Sequence, residues 1–202
     1  MKTLLVKYLP SGEHSNTAKL LQVFLKELGD RSIEVLDLAK TPAPTFSVES
    51  MAAYKKRNYM GQKLDAAEAS SLAANDKLVA QLKSANVVVL AYPMHNFGMP
   101  GPVKSYMDSI MLNGETFEMG KKLMAGRKAL TIFTSGGLYP ENQVSLEYPN
   151  WDTVSVLAKI NFSFMGFDEA EVISTSLRDE TKSNKRLEVA QEKFKKIISR
   201  WY

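Results

Sequence analysis

The sequence contains no cysteine and only two histidines among its 202 residues. The lack of cysteine excludes a disulfide framework, a thiolate metal site and a cysteine nucleophile, and it suits a reducing compartment. His14 and His95 lie in different segments, and neither shows the H-E-x-x-H motif or the carboxylate spacing of metal ligands. We therefore expect no bound metal.

Long apolar runs are absent too. No stretch approaches the roughly 18 uninterrupted apolar residues that a transmembrane helix requires. Lys7 interrupts the apolar N-terminal run and no small-residue cleavage site follows it, so we interpret this run as a first strand and not as a signal peptide. These absences predict a cytoplasmic protein without a membrane partner.

Several catalytic and nucleotide-binding motifs are missing as well. The sequence has neither G-x-G-x-x-G nor G-x-x-x-x-G-K-[ST], which disfavours a Rossmann dinucleotide site and a P-loop nucleoside triphosphatase. Ser135 stands in "TSGG" and not in a G-x-S-x-G elbow, so a serine hydrolase triad has little support.

The net charge of +4 raises the question of nucleic-acid binding. Much of the positive excess lies in the C-terminal segment "KSNKRLEVAQEKFKKIISR". The apolar residues of this segment recur near helical spacing: Leu187, Phe194, Ile197 and Ile198. We therefore interpret its lysines as the solvated face of a helix, and we expect no nucleic-acid partner.

Five apolar segments rich in Val, Ile, Leu and Thr predict β-strands. They cover residues 3–9, 32–38, 85–93, 128–135 and 169–176. A helix-length gap follows most of them, which favours a parallel sheet. The nearly continuous apolarity of "NVVVL" indicates a strand buried on both faces. The expected fold class is therefore α/β.

Apolar residues at spacings of three and four predict the helices. The predicted helices cover residues 15–28, 65–83, 102–112 and 151–164, with one more at the C-terminus. Asp65, with Glu68 three residues later, has the pattern of a capping box. No repeat or convincing linker divides the chain, so we expect a single domain over residues 1–202.

Residues 39–64 delay the return to the sheet for longer than an ordinary loop does. The latter half of this segment has the character of a short helix. Its large apolar side chains are Phe46, Met51, Tyr54, Tyr59 and Met60. They fit contact with a partner subunit or a roof over a binding site, and packing on the chain's own sheet is an equal alternative.

Three segments are candidates for a ligand site. In an open parallel sheet, ligands bind beyond the carboxyl ends of the strands, where the strand order reverses. This rule selects the segments that follow the first, third and fourth predicted strands. They read "PSGEHSNT" from Pro10, "PMHNFGMPGP" from Pro93 and "TSGGLYPEN" from Thr134.

The first segment enters a predicted helix through Ser15, Asn16 and Thr17. Free backbone N–H groups at a helix start, together with hydroxyl and amide side chains, make a cradle for a phosphate dianion that needs no lysine. A simple N-cap by Ser15 explains the same residues. Both interpretations stay open at this point.

The second segment adds a large aromatic residue, an imidazole and a thioether to the usual turn formers. Its glycines let the backbone approach a ligand closely, Phe97 can cover one face of a flat heteroaromatic ring, and Asn96 supplies both a donor and an acceptor. His95 fits a hydrogen-bonded loop residue better than a catalytic acid, although its position keeps it a candidate. Pro100 and Pro102 would stiffen the segment before the next helix.

The third segment places Gly136 and Gly137 directly after a buried strand. They have no side chains that would block a planar ligand, and their N–H groups could reach its polar edge. Taken alone, the pair is better explained by a tight turn. Next to the other two segments, a shared ligand site is favoured.

The segment "YPMHNFGMPGPVKSYMD", from Tyr92 to Asp108, resembles the flavin-contacting stretch of the FMN-dependent NADH-azoreductases and NAD(P)H quinone oxidoreductases. Their usual form is close to P-M-Y-N-F-G-I-P-A-x-L-K-x-Y-x-D. The residues that keep this pattern are Pro93, Met94, Asn96, Phe97, Gly98, Pro100, Lys104 and Asp108. "SGEHSNT" is similar to the family's FMN phosphate loop, "TSGGLY" to the loop under the flavin, and "NFSFMGF" to a late F-x-G pattern.

The sequence departs from the family pattern at two positions. His95 stands where tyrosine is common, and Ser135 stands where the family often has the arginine of S-R-G-G. The first departure changes the wall beside the flavin, and the second removes a positive charge that could face the substrate or the nicotinamide.

The resemblance implies a flavodoxin-like three-layer fold with a five-stranded parallel sheet in the order 2-1-3-4-5. It implies one FMN per subunit and a homodimer with active sites at the interface. The implied reaction is ping-pong hydride transfer from NADH or NADPH, through FMN, to a quinone or an azo compound.

The resemblance also implies the site residues. By position, the phosphate would be held by Ser11, Ser15, Asn16 and Thr17. The ring would be bound by Pro93, Met94, His95, Asn96 and Phe97, and at its other polar edge by Thr134, Ser135, Gly136 and Gly137, with His95 the candidate catalytic residue.

Two other functions remain open. The first is a flavodoxin-like electron carrier without nicotinamide activity, but flavodoxins are usually acidic whereas this chain is basic. The second is an α/β nucleotide-binding or regulatory module without FMN.

Overall fold

The computed structural model describes residues 1–137 and 151–202. Five parallel strands form one sheet in the order β2-β1-β3-β4-β5, which confirms the predicted fold class. The strands are β1 (Thr3–Lys7), β2 (Ile33–Asp37), β3 (Val87–Pro93), β4 (Lys128–Thr134) and β5 (Glu169–Thr175). The strand order reverses between β1 and β3, so the carboxyl ends of these two strands border the ligand position of such a sheet.

The central strands are buried on both faces of the sheet. Successive side chains of a strand point to opposite faces, and each face carries a hydrophobic core. In β1, Leu4 and Val6 join the core on one face and Leu5 joins the core on the other. In β3, Leu90 joins the core of Leu4 and Val6, and Val89 joins the core of Leu5 on the opposite face. Every residue of β3 up to Tyr92 is buried, as the continuous apolar run predicts.

Within the described residues, six α-helices flank the sheet. They are α1 (Asn16–Leu28), α2 (Val48–Asn58), α3 (Ala66–Ser84), α4 (Gly101–Ile110), α5 (Thr153–Met165) and α6 (Glu180–Trp201). Side chains of α1 and α6 fill the core on one face, and side chains of α4 and α5 fill it on the other. The capping box of Asp65 and Glu68 is present at the start of α3.

The segment 39–64 folds mainly onto its own chain. Helix α2 begins at Val48, earlier than the sequence suggests, because the Ser47 side chain caps it by accepting from the Ser50 N–H. Tyr54 is buried in a cluster with Leu72 of α3 and Leu112. The packing partners are therefore helices and not the sheet, and Tyr59 and Met60 stay exposed.

Gly166 explains the late "NFSFMGF" pattern physically. It ends α5 with a left-handed φ of 88°. A Cβ atom at this position would lie 2.4 Å from the backbone Cα of Lys122, which no side chain can accommodate. Glycine is thus required both by the conformation and by the close approach.

In the part of the chain that the structure describes, no helix has both the length and the apolarity needed to cross a membrane.

Candidate functional site

Hydrogen bonds join the three candidate segments at the carboxyl edge of the sheet. The Thr17 and Thr134 hydroxyl groups are buried and lie 2.7 Å apart, which ties the start of α1 to the end of β4. The Met94 N–H donates to the Thr134 carbonyl at 2.8 Å, which ties the end of β3 to the same residue. The segments chosen from the sequence therefore form one connected surface.

The start of α1 has the character of an anion site as well as a capped helix end. The Ser15 hydroxyl accepts from the Ala18 N–H at 3.2 Å, so the predicted N-cap is present. The N–H groups of Asn16 and Thr17 belong to the first helical turn, where no intrahelical acceptor exists. No acidic residue occupies this first turn, a feature that α1 shares with α4 and α5, whereas the first turns of α2, α3 and α6 each carry a glutamate. An anion at α1 would meet the positive helix end without repulsion inside that turn.

Ser11 and Thr17 differ from each other in accessibility. Ser11 is exposed at the start of a short 3₁₀ turn, Gly12–His14, and its side chain makes no capping hydrogen bond. Thr17 is fully buried and its hydroxyl bonds to Thr134. Thr17 therefore contributes a backbone N–H to the surface, while its side chain holds two loops together.

Residues 95–98 form a tight two-residue hairpin turn. The His95 N–H donates to the Gly98 carbonyl at 3.0 Å, and the Gly98 N–H donates to the His95 carbonyl at 2.9 Å. Between them, Asn96 has a φ of 47° and Phe97 a φ of 64°. Two successive positive φ values are the pattern of a type I′ turn, which asparagine tolerates and phenylalanine does not favour.

Phe97 is strained and exposed at the same time. A non-glycine residue in the left-handed region costs about 1–2 kcal/mol. The Phe97 side chain nevertheless remains 48% exposed, so burial of the ring offsets little of this cost. Strain of this kind clusters at ligand sites, and the turn, which follows β3, presents a large exposed aromatic ring at the carboxyl edge of the sheet.

The beginning of α5 supports the turn. The Phe97 ring packs edge-to-face on Trp151 with 5.1 Å between centroids, and the Phe97 carbonyl accepts a hydrogen bond from the Thr153 hydroxyl. Asp152, which is buried, caps α5 by accepting from the Ser155 N–H at 3.0 Å. Sequence reasoning missed these supporting residues, because they lie more than 50 positions from the turn and belong to no motif that includes it.

His95 and Asn96 are both exposed in the turn. The His95 ring lies edge-to-face to Tyr8, with 6.4 Å between centroids. The backbone of His95 is fully engaged with Gly98, so its imidazole is the part available to a ligand. Pro93 ends β3 in register with Thr134, and Met94 packs half-buried against the core.

The Gly136 position does not have the features of a glycine-dependent tight turn. Its φ is not positive, and a Cβ atom built there would meet no atom of residues 1–137 and 151–202 within 4 Å. The described part of the chain therefore leaves open space at Gly136, which suits an approaching ligand. Ser135 is engaged locally, because its hydroxyl donates to the Gly137 carbonyl at 2.5 Å and its N–H to the Thr175 carbonyl at 3.2 Å. The rest of the predicted segment, from Leu138 onward, lies outside the described residues.

A buried tyrosine lies close to this surface. The Tyr92 hydroxyl has no hydrogen-bond partner among residues 1–137 and 151–202. Burial raises the pKa of Tyr92, and the nearby Asp152 carboxylate raises it further, so the phenol stays neutral. Across the same described residues, no three histidine or acidic side chains are grouped as they would be around a metal ion.

Comparisons with known proteins identify the family of this chain. A family model described as the flavodoxin-like fold matches residues 1–198. The FMN-dependent NADH:quinone oxidoreductase of Haemophilus influenzae is 32% identical over 149 residues, which cover 72% of this chain and 74% of that protein. The FMN-dependent NADH:quinone oxidoreductase 1 of Bacillus anthracis is 29% identical, over 97% of this chain and 91% of its own.

A solved structure is similar over almost the whole chain. The crystal structure of an FMN-dependent NADH-azoreductase from Bacillus anthracis, in complex with FMN, has a TM-score of 0.82 and 26% identity, and the match covers 99% of each chain. Together with the matched family model and the relatives above, this similarity identifies the chain as a member of the flavodoxin-like fold family, in the group of FMN-dependent NADH:quinone oxidoreductases and NADH-azoreductases.

Proposed function

We propose that this chain is an FMN-dependent oxidoreductase that transfers a hydride from NADH, through FMN, to a quinone or an azo compound in a ping-pong cycle. The observation that carries the proposal is the union of three loops through the buried Thr17–Thr134 hydroxyl pair and the Met94–Thr134 hydrogen bond. One of these loops presents a helix start, one a strained aromatic turn and one an open glycine position.

The residues present fit FMN. The phosphate would lie at the start of α1, on the N–H groups of Asn16 and Thr17 and the hydroxyls of Ser11 and Ser15. The open space at Gly136 leaves room for a planar ring, and the exposed amide of Asn96 offers a donor and an acceptor. The remaining ring contacts of the proposal are Pro93, Met94, His95, Phe97, Thr134, Ser135 and Gly137.

Two side chains at the ring have specific tasks in this proposal. When bound, FMN accepts two electrons and a proton from NADH and delivers them to the acceptor. Phe97 covers part of the ring and keeps water from it, and its strained backbone fixes the position of the aromatic side chain before the ligand arrives. His95 is the candidate proton donor to a reduced acceptor through its exposed imidazole.

Fluorescence, absorption and steady-state measurements test the assignment. The purified protein mixed with FMN should quench flavin fluorescence, and under anaerobic conditions NADH should bleach the bound flavin without any added protein. Steady-state rates with a quinone should give parallel double-reciprocal lines, as a ping-pong cycle requires. Unquenched FMN would refute the flavin site. A bound flavin that stays oxidised with NADH and NADPH, yet accepts electrons from a reductase protein, would indicate an electron carrier instead.

A homodimer with active sites at its interface is part of this proposal. Helix α5 carries an exposed apolar stripe of Val156, Leu157, Ile160 and Phe164, with Ile160 55% exposed. The stripe lies on the helix whose start supports Phe97, so a second subunit placed there would lie beside the proposed ring site. Light scattering should give twice the chain mass, and Ile160→Asp should give the monomer. An unchanged mass in Ile160→Asp would exclude this face as the interface.

A further inference from the structure

A cavity of about 350 Å³ lies between the edge strand β5 and helix α6, outside the proposed ring site. Its floor is apolar: Ile173 and Ala190 are buried, and Val189 is a 52% exposed valine with no role in the core clusters. Sites for small organic ligands commonly have volumes of about 300–1,000 Å³ and apolar walls with a few polar groups. This cavity meets both conditions.

The rim of the cavity is strongly basic. Lys182, Lys185, Arg186 and Lys193 line it. Among the described residues, Lys185 and Lys193 form no ion pair, whereas Lys182 pairs with Asp179 at 3.0 Å. The Arg186 guanidinium is fixed, because it donates to the Ser176 carbonyl at 2.6 Å. These lysines lie on the amphipathic helix α6, as the sequence predicts. They also line a cavity with an apolar floor, which their alkyl chains can contact.

A neighbouring cavity of about 450 Å³ lies between this basic rim and the loop of the proposed ring site. It shares Arg186 and is also lined by Gly136, Gly137 and Arg178. Its acidic residue, Asp179, already accepts from the Thr181 N–H and hydroxyl and from Lys182. The Arg178 guanidinium has no acidic partner within residues 1–137 and 151–202. The two cavities have Arg186 in common, so we treat them as one cationic groove from the Gly136–Gly137 loop along β5 and α6.

We propose that this groove binds an aromatic anion, with a planar ring on Ile173, Val189 and Ala190 and a phosphate or sulfonate group on the Lys185, Arg186 and Lys193 rim. The inference rests on the proposed function, since that reaction supplies two ligands of this chemistry. The adenosine phosphate end of the nicotinamide donor is one, and a sulfonated aromatic acceptor is the other. Both would have their reacting ends at the ring site and their anionic ends in the groove.

Direct binding tests the groove without using turnover. Naphthalene-1-sulfonate and 2′,5′-ADP are titrated by calorimetry into the full chain, with and without excess FMN. The double variant Lys185→Glu/Lys193→Glu should weaken binding at least tenfold, and Val189→Asp should weaken it several-fold. The matched control is Lys195→Glu/Lys196→Glu, on the same helix with the same change of charge, and it should stay within twofold of wild type because neither lysine lines the groove.

The outcomes separate this inference from the proposed function. No binding of either probe, or equal loss in both double variants, would overturn the groove. Loss of binding in the groove variant alone supports the groove, even if the protein fails to quench FMN fluorescence.

Steady-state kinetics of the groove variant then identify which ligand occupies the groove. A rise in KM for NADPH larger than that for NADH assigns the groove to the donor. A rise in KM for a sulfonated azo acceptor, with a neutral one unchanged, assigns it to the acceptor.

Discussion

Two segments of this molecule are rich in aromatic residues and use them in opposite ways. In residues 39–64, Tyr54 is buried and contacts the rings of Phe46 and Tyr59, with centroids 5.6 and 5.5 Å apart. In the turn 95–98, Phe97 remains about half exposed on a backbone that strains it. The first segment buries its aromatic area in a packed cluster, whereas the second leaves an aromatic ring exposed where the proposed ligand would bind.

Local interactions reinforce this contrast. The first segment has a capping box at Ser47, and Arg57 forms a two-pronged ion pair with Asp76 at 2.8 and 2.9 Å. The Tyr54 hydroxyl accepts from the Asn113 N–H at 2.9 Å. Aromatic content by itself therefore does not distinguish an exposed candidate binding surface from a packed structural cluster. The burial of the rings and the conformation of the backbone distinguish the two.

The largest expected effect comes from emptying the structural cluster. Tyr54→Ala should lower the free energy of unfolding by about 3 kcal/mol, because it leaves a cavity and an unpaired Asn113 N–H. FMN affinity of the folded protein should stay within twofold. Urea unfolding and a fluorescence titration measure the two quantities. Tyr59→Ala is the control in the same segment, and it should cost below about 1 kcal/mol because Tyr59 is 61% exposed.

Cutting the link between the loops should weaken stability and binding together. Thr134→Val leaves the buried Thr17 hydroxyl without its partner, at a cost of about 2 kcal/mol, and FMN affinity should fall. Thr131→Val is the matched control in the same strand, since the Thr131 hydroxyl is buried and has no partner among the described residues. That variant should be neutral or slightly more stable in urea. Equal losses in both variants would show that the Thr17–Thr134 bond has no special role.

Phe97 allows strain and ligand contact to be separated. Phe97→Ala and Phe97→Gly both remove the ring, and only the glycine variant also relieves the positive φ of 64°. Phe97→Gly should therefore be more stable than Phe97→Ala by about 1 kcal/mol. Both should bind FMN at least several-fold more weakly than wild type. If both variants keep wild-type FMN affinity, the turn is not the ring wall.

A smaller effect should appear at alkaline pH. Burial raises the pKa of Tyr54 to about 12 from an ordinary 10.0. A raised pKa means that the folded state holds the proton more tightly, so this contribution is complete below pH 10 and is lost as the pH rises toward 12. Wild type should lose stability faster over this range than Tyr54→Phe. Parallel curves would contradict the raised pKa.

Burial and turn chemistry are local signals, so the residues themselves predicted the parallel sheet and selected three segments at its carboxyl edge, whereas the strand order followed only from the family resemblance. The apolar run of β3 and the glycines and prolines near residue 98 are examples of such local signals. The sequence did not predict that Phe97 would adopt a positive φ, since this residue type argues against that conformation. The support from Trp151 and Thr153 was missed because long-range contacts leave no periodic trace. The five apolar residues of segment 39–64 were ambiguous because identical side chains can face a partner or a core.

The support of the turn by α5 has a thermodynamic consequence. Trp151 and Thr153 hold Phe97 at the start of the same helix that carries the exposed stripe ending at Phe164. An interaction that orders α5 also orders the aromatic turn. The proposed FMN site near the start of α5 and the proposed subunit contact along its exposed stripe therefore depend on the same helix. For the proposed dimer, linkage then requires reciprocity: any factor by which FMN tightens pairing of two chains equals the factor by which pairing tightens FMN binding.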